Sequence, residues 1–468
     1  MKFKNFCTNI LLVLVSLLVS CCDDGREVKP ETGGGDTPKP ANKEKVYYVS
    51  ANGSDDNTGI APSFALKTVG KALSFVKPGD VIKIMPGTYR YSKRFIDMPV
   101  QYSGKEGKYI TIEAQDPDDK PKVIVGGTGV WEAVDIVASY VILDGIEFEG
   151  FNQQLDSLEA YNNAVTYHDF HDQIDWNYTA QFNTNGVSVG DHDYTTTHVI
   201  IRNCVIHDFP GGGLGASDCD YITFENNVIY NNAWFNMYAC SGISIISPVN
   251  TDSNTGHKLI VKGNTVYNNR CMIPWCTTAD FRLSDGNGII IDVNQHPADS
   301  GIHKNEGPYN GRTLVLNNVS FNNGGSGIHT FKADHVDVIN NTSYWNGYKY
   351  PSKEYGEIYS NQSKDGNFIN NIMYGRPGCY CNGKADATIT YSHNIYFGGE
   401  AKTMGTGDKK ADPKFVKLSR DGSVADFHIT AGSAAIGAGI VTDITPKEDR
   451  DGNARGATMD CGAYQYSK

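Results

Sequence analysis

The sequence predicts an all-β protein, a right-handed parallel β-helix whose rungs each hold three short strands. The main observation is a recurring phrase: a β-branched run, an Asn pair, then a hydrophobic pair that ends in an aromatic residue. Asn318 and Asn341 hold the same place in successive copies and are 23 residues apart. A rung of about 22–30 residues is too short for two packed helices but fits strands joined by turns. The clearest copies span residues 224–230, 315–321, 338–344 and 368–374.

A second phrase lies between these copies, in which a glycine is followed by alternating apolar and polar residues. It occurs at residues 242–245, 288–292 and 327–331. Alternation with a period of two is typical of a strand with one buried face. The Asn pairs fall at the bends, where Asn tolerates left-handed backbone and can hydrogen-bond the equivalent Asn of the next rung.

The two ends of the coil differ from its middle. Within an N-terminal cap region at 45–109, residues 66–76 have helical spacing, which predicts a short helix over the exposed end of the solenoid. Residues 110–398 carry the rungs. Residues 399–468 break the rhythm and are expected to form an irregular C-terminal cap. We therefore predict one β-helix domain over 45–468.

The start of the chain has the pattern of an export signal. Residues 1–20 combine a positive start with an apolar run that is too short to span a membrane permanently. Leu18-Val-Ser-Cys21 resembles the lipobox of bacterial lipoproteins, with Cys21 as the lipidated residue, and an ordinary secretory cleavage site is the alternative. Residues 21–44 are rich in Pro and Gly and are expected to be a flexible tether. We expect a lipid anchor to hold the protein at the outer membrane, either on the cell surface or on the periplasmic face.

The charge balance excludes several classes of partner. The formal net charge is −12 and no basic stripe is present, which argues against nucleic acid and against an anionic membrane, apart from the lipid anchor. An acidic polysaccharide stays possible as a partner if a local cation or a metal ion meets it. We expect a monomer. Export also permits disulfides, and Cys271 and Cys276 are spaced to close a short loop.

Both ends of the domain resemble a known superfamily. Residues 48–54, 78–80 and 86–89, with 449–455 and 462–464 near the end, are similar to secreted right-handed β-helix proteins of the pectin-lyase-like superfamily. The resemblance implies the fold. It does not choose an activity, because that superfamily holds polysaccharide lyases, glycoside hydrolases, epimerases and non-catalytic members.

The strands predict a polar stripe along one side of the coil. If Ile289, Ile328 and Ile358 point inward, the outward residues in adjacent rows are Asp292, His329, Phe331, Tyr359 and Asn361. Earlier rungs add Ser188, Asp191, Ser217, Asp218 and Ser244. Such a stripe on a solenoid is typical of a groove for an extended polymer, and an ordinary solvated strand face is the alternative.

Three insertions are expected to form a wall of that groove. Residues 152–183 are rich in aromatic residues, the next insertion carries Trp234 and Tyr238, and residues 270–287 include Arg282. Trp and Tyr have flat apolar faces and polar edges that suit sugar rings. We therefore expect Trp234, Tyr238 and Arg282 to bind substrate, together with Phe331, Tyr359 and Asn361. The alternative is that the aromatic side chains only hold the loops in place.

The reaction that we favour is β-elimination by a polysaccharide lyase. Such an enzyme neutralises a uronate carboxylate, often with Ca²⁺, and needs a base for the neighbouring ring proton. Lys332, His329 and Asp292 are the candidate catalytic residues. The candidate Ca²⁺ ligands are Asp285, Asp191 and Asp218.

The motifs of related enzymes leave two alternatives open. One pectate-lyase family of this fold has Asp-Asp-Gly-x-Asp ahead of a Lys base, whereas residues 284–288 here lack two of the three acids. A glycoside hydrolase would pair Asp292 with Asp218 or Asp191, although the Asp-Asp, Gly-His-Gly and Arg-Ile-Lys motifs of galacturonan hydrolases are missing. A non-catalytic glycan-binding lipoprotein would need neither base nor metal.

Overall fold

The computed structural model describes residues 44–295, 307–347 and 356–467. The signal peptide, Cys21 and the tether lie outside the described residues, apart from Glu44. Residues 44–468 form one compact unit. The helices are α1 (Val69–Leu73), α2 (Ser157–Asp169) and α3 (Trp176–Ala180). Within the described residues, none of the helices has the length and apolar character that crossing a membrane requires.

Short strands make up most of the ordered structure. In chain order they are β1 (Val46–Val49), β2 (Val81–Ile84), β3 (Thr88–Tyr91), β4 (Ile96–Met98), β5 (Ile110–Ala114), β6 (Lys122–Val125), β7 (Glu132–Ile136), β8 (Val141–Asp144), β9 (Glu147–Glu149), β10 (Asn185–Val189), β11 (Thr196–Arg202), β12 (Val205–His207), β13 (Leu214–Ser217), β14 (Cys219–Glu225), β15 (Val228–Tyr230), β16 (Ile243–Ile246) and β17 (His257–Lys262). They continue as β18 (Thr265–Tyr267), β19 (Ile289–Asp292), β20 (Arg312–Leu316), β21 (Val319–Phe321), β22 (Ile328–Phe331), β23 (Val336–Ile339), β24 (Thr342–Tyr344), β25 (Ile358–Asn361), β26 (Gly366–Ile369), β27 (Ile372–Tyr374), β28 (Tyr380–Asn382), β29 (Ile389–Ser392), β30 (Ile395–Phe397), β31 (Glu400–Ala401), β32 (Lys409–Lys410), β33 (Phe415–Lys417) and β34 (Asp426–Ile429).

Three long parallel sheets confirm the predicted fold, a right-handed parallel β-helix. The back sheet has the order β1-β2-β5-β8-β11-β14-β17-β20-β23-β26-β29. The flank sheet has the order β3-β6-β9-β12-β15-β18-β21-β24-β27-β30-β32, and the groove sheet has the order β4-β7-β10-β13-β16-β19-β22-β25. From β4 to β27 the chain visits the groove, back and flank sheets in turn, so each of these coils contributes one strand to each sheet. Between the sheets lies a continuous apolar core, in which Ile243, Ile289, Ile328 and Ile358 are fully buried.

The predicted Asn ladder forms at the turn from the back sheet to the flank sheet. Asn318 accepts a hydrogen bond from the backbone N–H of Asn264 and donates to Asn341 Oδ1 at 3.0 Å. Asn341 donates in the same way to Asn371 Oδ1 at 3.1 Å. The residue before each of these is held at positive φ, for example 53° at Asn317, a conformation that Asn tolerates better than most residues.

A second ladder, which the sequence analysis missed, follows the flank sheet. Asn232 donates to Asn269 Oδ1 at 3.1 Å, and Asn269 donates to Asn323 Oδ1 at 3.0 Å. Asn346 continues the row and donates to the buried carboxylate of Glu357 at 2.7 Å. The signal was available, because Asn-Asn recurs at 231–232, 268–269 and 322–323, directly after each aromatic residue of the phrase.

The amino-terminal helix is shorter than its spacing suggested. Leu66 pairs with Val49 of β1, and its N–H donates to Tyr48 O at 2.8 Å, so this residue is extended. The helix starts only after Thr68, whose hydroxyl accepts from the Lys71 N–H at 3.1 Å. Such a cap satisfies one of the free amides of the first turn.

The C-terminal segment reaches beyond the end of the coil. The ring of Phe427 in β34 lies 5.0 Å from Phe321 and 5.3 Å from Tyr344, on the outer face of the flank sheet. Arg455 donates to Asn317 Oδ1 at 3.0 Å. This segment therefore runs back over several coils and covers aromatic side chains that would otherwise be exposed to water.

The expected disulfide is absent. Cys271 and Cys276 are both free thiols, as are the other six described cysteines. The Cys271 thiol instead donates to Cys240 O at 3.2 Å, while Cys276 packs into an apolar cluster of the insertions.

Candidate functional site

The outer face of the groove sheet, here called the groove face, gathers most of the predicted site residues. In the strand register Asp292 pairs with Phe331, which pairs with Asn361, and His329 pairs with Tyr359. This agrees with the two outward rows expected from the sequence. The rows form because Ile289, Ile328 and Ile358 take the inward positions of the same strands and are fully buried.

Asp292 is the most perturbed acid of this face. The pKa of its carboxyl is raised from 3.8 to about 7, chiefly by burial and also by the charge of Asp285, while the charge of Lys332 opposes both effects. Its Oδ1 is buried and has no hydrogen-bond partner among the described residues. A buried carboxylate oxygen of this kind is costly for the fold and is a mark of functional sites.

Asp285 lies ahead of β19, whereas Asp292 ends the same strand. Burial raises the pKa of Asp285 to about 6, and hydrogen bonds from Ser284 and Asn287 act in the opposite direction. The bond from Asn287 Nδ2 measures 2.7 Å. Asp285 and Gly286 both have positive φ, and the Gly286 N–H donates to Cys240 O at 2.9 Å. The turn that carries this carboxylate is therefore held to the preceding coil.

Lys332 follows β22 at the end of the groove sheet. It has a φ of 46°, and its Nζ lies 5.4 Å from the ring centre of Phe331. Its carbonyl accepts the Asn294 N–H at 3.0 Å, which fixes the turn against the preceding coil. The ammonium group is close enough to lower the pKa of Asp292. Lys332 and Asp292 therefore share one part of the groove face.

His329 is buried, with 5% of its surface exposed. Burial lowers the pKa of its imidazole to about 3, so the ring is neutral at physiological pH. It stacks on Tyr359 with the ring centres 5.1 Å apart. A neutral imidazole cannot supply a positive charge for a substrate carboxylate, which leaves that task to Lys332 or to a metal ion.

The three predicted metal ligands are not brought together. Asp191 and Asp218 follow β10 and β13 at the carboxyl ends of their strands, whereas Asp285 precedes β19 at the opposite edge of the sheet. Asp218 instead lies 2.7 Å from His192 Nδ1. The sequence analysis grouped these three residues because all are acidic. In the parallel sheet, residues that follow a strand and residues that precede one lie at opposite edges, so the three are separated.

A different cluster, of two glutamates and one histidine, has ligand atoms close enough together to hold a metal ion, but it does not lie on the groove face. Glu147, Glu149 and His207 bring their ligand atoms together on the flank sheet. Lys122 Nζ lies 2.9 Å from Glu147 and also contacts Glu149. An ammonium group therefore already supplies a cation there, and this cluster belongs to a different side of the coil.

The three insertions pack against one another as a small second core. Ala160, Phe182, Phe235 and Ile273 are among its buried members. This packing holds the insertions together at the edge where the chain enters the groove sheet. They therefore form a packed wall along that edge.

The three insertion residues predicted to bind substrate occupy different environments. Trp234 donates to Asn268 O at 3.2 Å, and the Arg270 guanidinium lies 5.1 Å from its ring centre. Tyr238 contacts the ring of Tyr167 at 5.9 Å. Arg282 is exposed and pairs with Asp280 at 3.2 Å. Trp234 and Tyr238 thus hold the wall together, and the role of all three in binding substrate stays a prediction.

Small side chains line most of the groove floor ahead of Asp292, and Ile246 lies next to Asp292 in the register. Ser188, Gly215, Ser217 and Ser244 border a shallow cavity of about 170 Å³ on β10, β13 and β16. Small side chains leave room above the sheet. The groove face therefore combines an open floor with one cluster of charged and aromatic residues.

Comparisons with known proteins agree with this fold. A family model described as a protein of unknown function, DUF1565, matches residues 51–279. The chain is 21% identical over 456 residues to pectate lyase L of Dickeya dadantii (strain 3937), covering 90% of this chain and 91% of that protein. The crystal structure of pectate lyase Pel9A is similar with a TM-score of 0.53 and 19% identity, covering 91% of this chain and 97% of that one. The structural similarity to Pel9A supports the fold that the three parallel sheets show, a right-handed parallel β-helix.

Proposed function

We propose that this protein is a polysaccharide lyase that cleaves a uronate-containing glycan by β-elimination on the groove face. The main support for the proposal is that the Lys332 ammonium group lies close to the Asp292 carboxyl group, whose pKa is raised, at the end of an open groove. The similarity to pectate lyase L and to pectate lyase Pel9A supports the same reaction class.

Lys332 is the proposed base. In its unprotonated form Nζ takes the proton from C5 of the uronate, next to the carboxylate. The C–H electrons become the C4–C5 double bond, the C4–O bond breaks, and the leaving oxygen takes up a proton. Lys332 suits this step because the turn that carries it is fixed to the preceding coil through Asn294.

Neighbouring side chains position the sugar. Phe331 presents an aromatic ring beside Lys332, and an aromatic ring packs well on the apolar face of a pyranose. Asn361 lies next to Phe331 in the same row and offers an amide for sugar hydroxyls. The neutral His329 and the stacked Tyr359 form the adjacent row and help to exclude water from the reacting atoms.

Asp292 is the residue that would hold Ca²⁺, and Asp285, ahead of the same strand, adds negative charge to its surroundings. Two observations support this assignment: Asp292 has a buried oxygen with no hydrogen-bond partner among the described residues, and the charge of Asp285 disfavours ionisation of Asp292. A divalent cation relieves such repulsion, and oxygen ligands are those that Ca²⁺ prefers. When bound, it would neutralise the uronate carboxylate and so acidify the C5 proton. Asp191 and Asp218 are left out of this ligand set.

A glycoside hydrolase is the second candidate, and one observation favours it. Paired carboxyl groups with separated pKa values serve as acid and base in glycosidases. Asp292, with a pKa of about 7, and Asp285, with a pKa of about 6, have this character. The pair differs from the sequence expectation, which joined Asp292 to Asp218 or Asp191.

One experiment separates these functions. Purified protein is offered pectic, alginate and glycosaminoglycan substrates, with and without a chelator, and absorbance is followed at about 230 nm, where the unsaturated uronate produced by β-elimination absorbs. A rise in absorbance that needs the metal ion supports the lyase. New reducing ends without that absorbance support the hydrolase, and affinity without turnover supports a glycan-binding protein.

The location is proposed from the sequence alone. We propose that Cys21 carries a lipid and that residues 21–44 tether a monomeric β-helix to the outer membrane, at the cell surface or on the periplasmic face. Fractionation of cells that express the wild type or Cys21→Ala tests this. The wild type is expected in the membrane fraction and the variant in the soluble fraction.

A further inference from the structure

A second cavity opens at the amino-terminal end of the groove sheet. It has a volume of about 480 Å³ and is bordered by Tyr91, Lys93, Arg94, Asp97 and Trp131, on and beside β3, β4 and β7. Cavities of a few hundred cubic ångströms are the usual size of small-ligand sites. No residue of this cavity takes part in the proposed reaction.

The strand register connects this cavity with the reaction site. Asp97 pairs with Asp135, which pairs with Ser188, and the same outward row continues through Gly215 and Ser244. It then reaches the strands of the reaction site, where Ile290 pairs with His329. Five strand spacings separate β4 from β19, a distance of about 24 Å at about 4.8 Å each. One extended glycan chain can therefore occupy both places.

The floor between the two places is open. Ser188, Gly215 and Ser244 are the residues of this row on the three intervening strands, and their small size leaves the path above this row free. In the neighbouring outward row Ile246 borders the same floor beside Asp292. On the wall side, Trp176 of the first insertion lies 6.3 Å from the ring of Trp131. Trp176 is 45% exposed. The two indoles therefore offer apolar faces at the far end of the groove, which suit a sugar ring.

The charges of the cavity disfavour an acidic sugar. Arg94 is already paired, with Glu132 at 2.6 Å, Asp135 at 3.0 Å and Asp97 at 3.7 Å. Three carboxyl groups thus surround the Arg94 guanidinium and offset its charge, and of these Asp97 also borders the cavity, as does Lys93. A carboxylate that entered here would meet like charge, whereas sugar hydroxyls can hydrogen-bond to both carboxylates and the guanidinium.

We propose that this cavity, which Trp131 borders, is a remote subsite that binds an uncharged sugar unit of the same glycan chain. The inference rests on the proposed function and narrows the class of substrate. The preferred substrate then contains neutral sugars beside uronates, and the enzyme attacks within long chains, because only a long chain reaches the subsite and the reaction site together.

Binding is the measurement that tests the subsite, apart from turnover. In a Lys332→Ala background, which prevents cleavage, affinity is measured for polygalacturonate, whose units are all charged, and for a rhamnogalacturonan backbone, in which charged and neutral units alternate. We expect tighter binding of the alternating polymer. Adding Trp131→Ala should weaken that binding at least tenfold, and Phe64→Ala, an exposed aromatic residue outside the cavity, should change it less than twofold.

A second variant, Asp135→Asn, keeps the subsite testable if the Trp131→Ala protein does not fold. Asp135→Asn removes one of the three carboxylates around Arg94 and should raise the affinity for polygalacturonate relative to the alternating polymer. Unchanged binding in Trp131→Ala, or equal losses for both polymers, would overturn the assignment of an uncharged sugar. Binding that depends on Trp131 in a protein without lyase activity would overturn the proposed reaction and retain the subsite. No binding of either polymer to the Lys332→Ala protein would overturn the subsite.

Discussion

The rings of His329 and Tyr359 stack at 5.1 Å on adjacent strands of the groove sheet. They are register partners, so the stacking follows from the coil itself rather than from a loop. The row next to them holds Asp292, Phe331 and Asn361 at the same spacing. Residues nearly 70 positions apart in the chain therefore form one continuous surface.

Replacement of Lys332 by Ala should remove the base. We expect kcat for formation of the unsaturated product to fall by about 10²–10⁴-fold, the usual contribution of a general base, while the melting temperature changes little. Lys364→Ala is the matched control, because Lys364 is an exposed lysine after the next groove strand. Comparable activity of the Lys332 and Lys364 variants would contradict the assignment.

Chelation should abolish activity, and added Ca²⁺ should restore it. If Asp292 holds the ion, Asp292→Asn raises the Ca²⁺ concentration needed for half-maximal activity by at least tenfold, since the substitution removes a charged ligand. Asp191→Asn, which follows β10 and is separated from β19 by β13 and β16, should behave as the wild type. A titration of activity against Ca²⁺ checks this, and a larger effect at Asp191 than at Asp292 would reverse the ligand assignment.

Stability should depend on pH through Asp292. Because folding raises its pKa from 3.8 to about 7, the folded state retains a proton that the unfolded chain loses. The contribution of Asp292 is complete below about pH 4 and is lost as the pH rises to about 7. Asp292→Asn carries no such charge and should gain stability relative to the wild type by about 2–4 kcal/mol over that interval.

Thermal or urea unfolding at several pH values measures this difference. Comparing the wild type with Asp292→Asn cancels the groups whose pKa falls on folding, such as Glu147, which act in the opposite direction. A difference that stays constant from pH 4 to pH 8 would show that Asp292 is not buried in its charged form.

Removal of one Asn from the inner ladder should destabilise the coil. Asn227 accepts from the Cys204 N–H at 3.0 Å and donates to Ile201 O and Asn264 Oδ1 at 2.9 and 3.0 Å. Asn227→Ala leaves these buried groups unpaired, and we expect a loss of about 2–4 kcal/mol in the free energy of unfolding. Chemical denaturation measures it.

The residue before it supplies the control. Asn226 is exposed and has a φ of 55°. Glycine adopts this conformation without a steric cost. Asn226→Gly should therefore stay within about 0.5 kcal/mol of the wild type. Equal losses at both positions would mean that the turn, and not the ladder, limits stability.

Much of the fold was predictable because its signals are local. The Asn pair marks a bend whose backbone and hydrogen bonds are the same in every coil, and alternation in the strands decides which side chains face the core. The outward rows from Asp292 to Tyr359 followed from these two patterns alone. The second ladder through Asn232 and Asn269 was equally visible in the sequence and was overlooked.

The candidate site was predictable only in part. Lys332 and Asp292 fall together because they end strands of neighbouring coils. Asp285 precedes its strand, whereas Asp191 and Asp218 follow theirs, so the edges of the groove sheet divide the expected metal ligands. Trp131 gave no signal in the repeat. Its place opposite Trp176 depends on how the first insertion folds against the coil.

The sequence by itself determined the coil, its inward and outward faces and the ladder at its bends, since each depends on a period that repeats along the chain. Only the tertiary structure decided which acids share an environment, how far the C-terminal segment folds back, and where the insertions place their aromatic rings. These depend on contacts between distant segments without a repeat, and burial of a carboxyl such as Asp292 arises only when those segments meet.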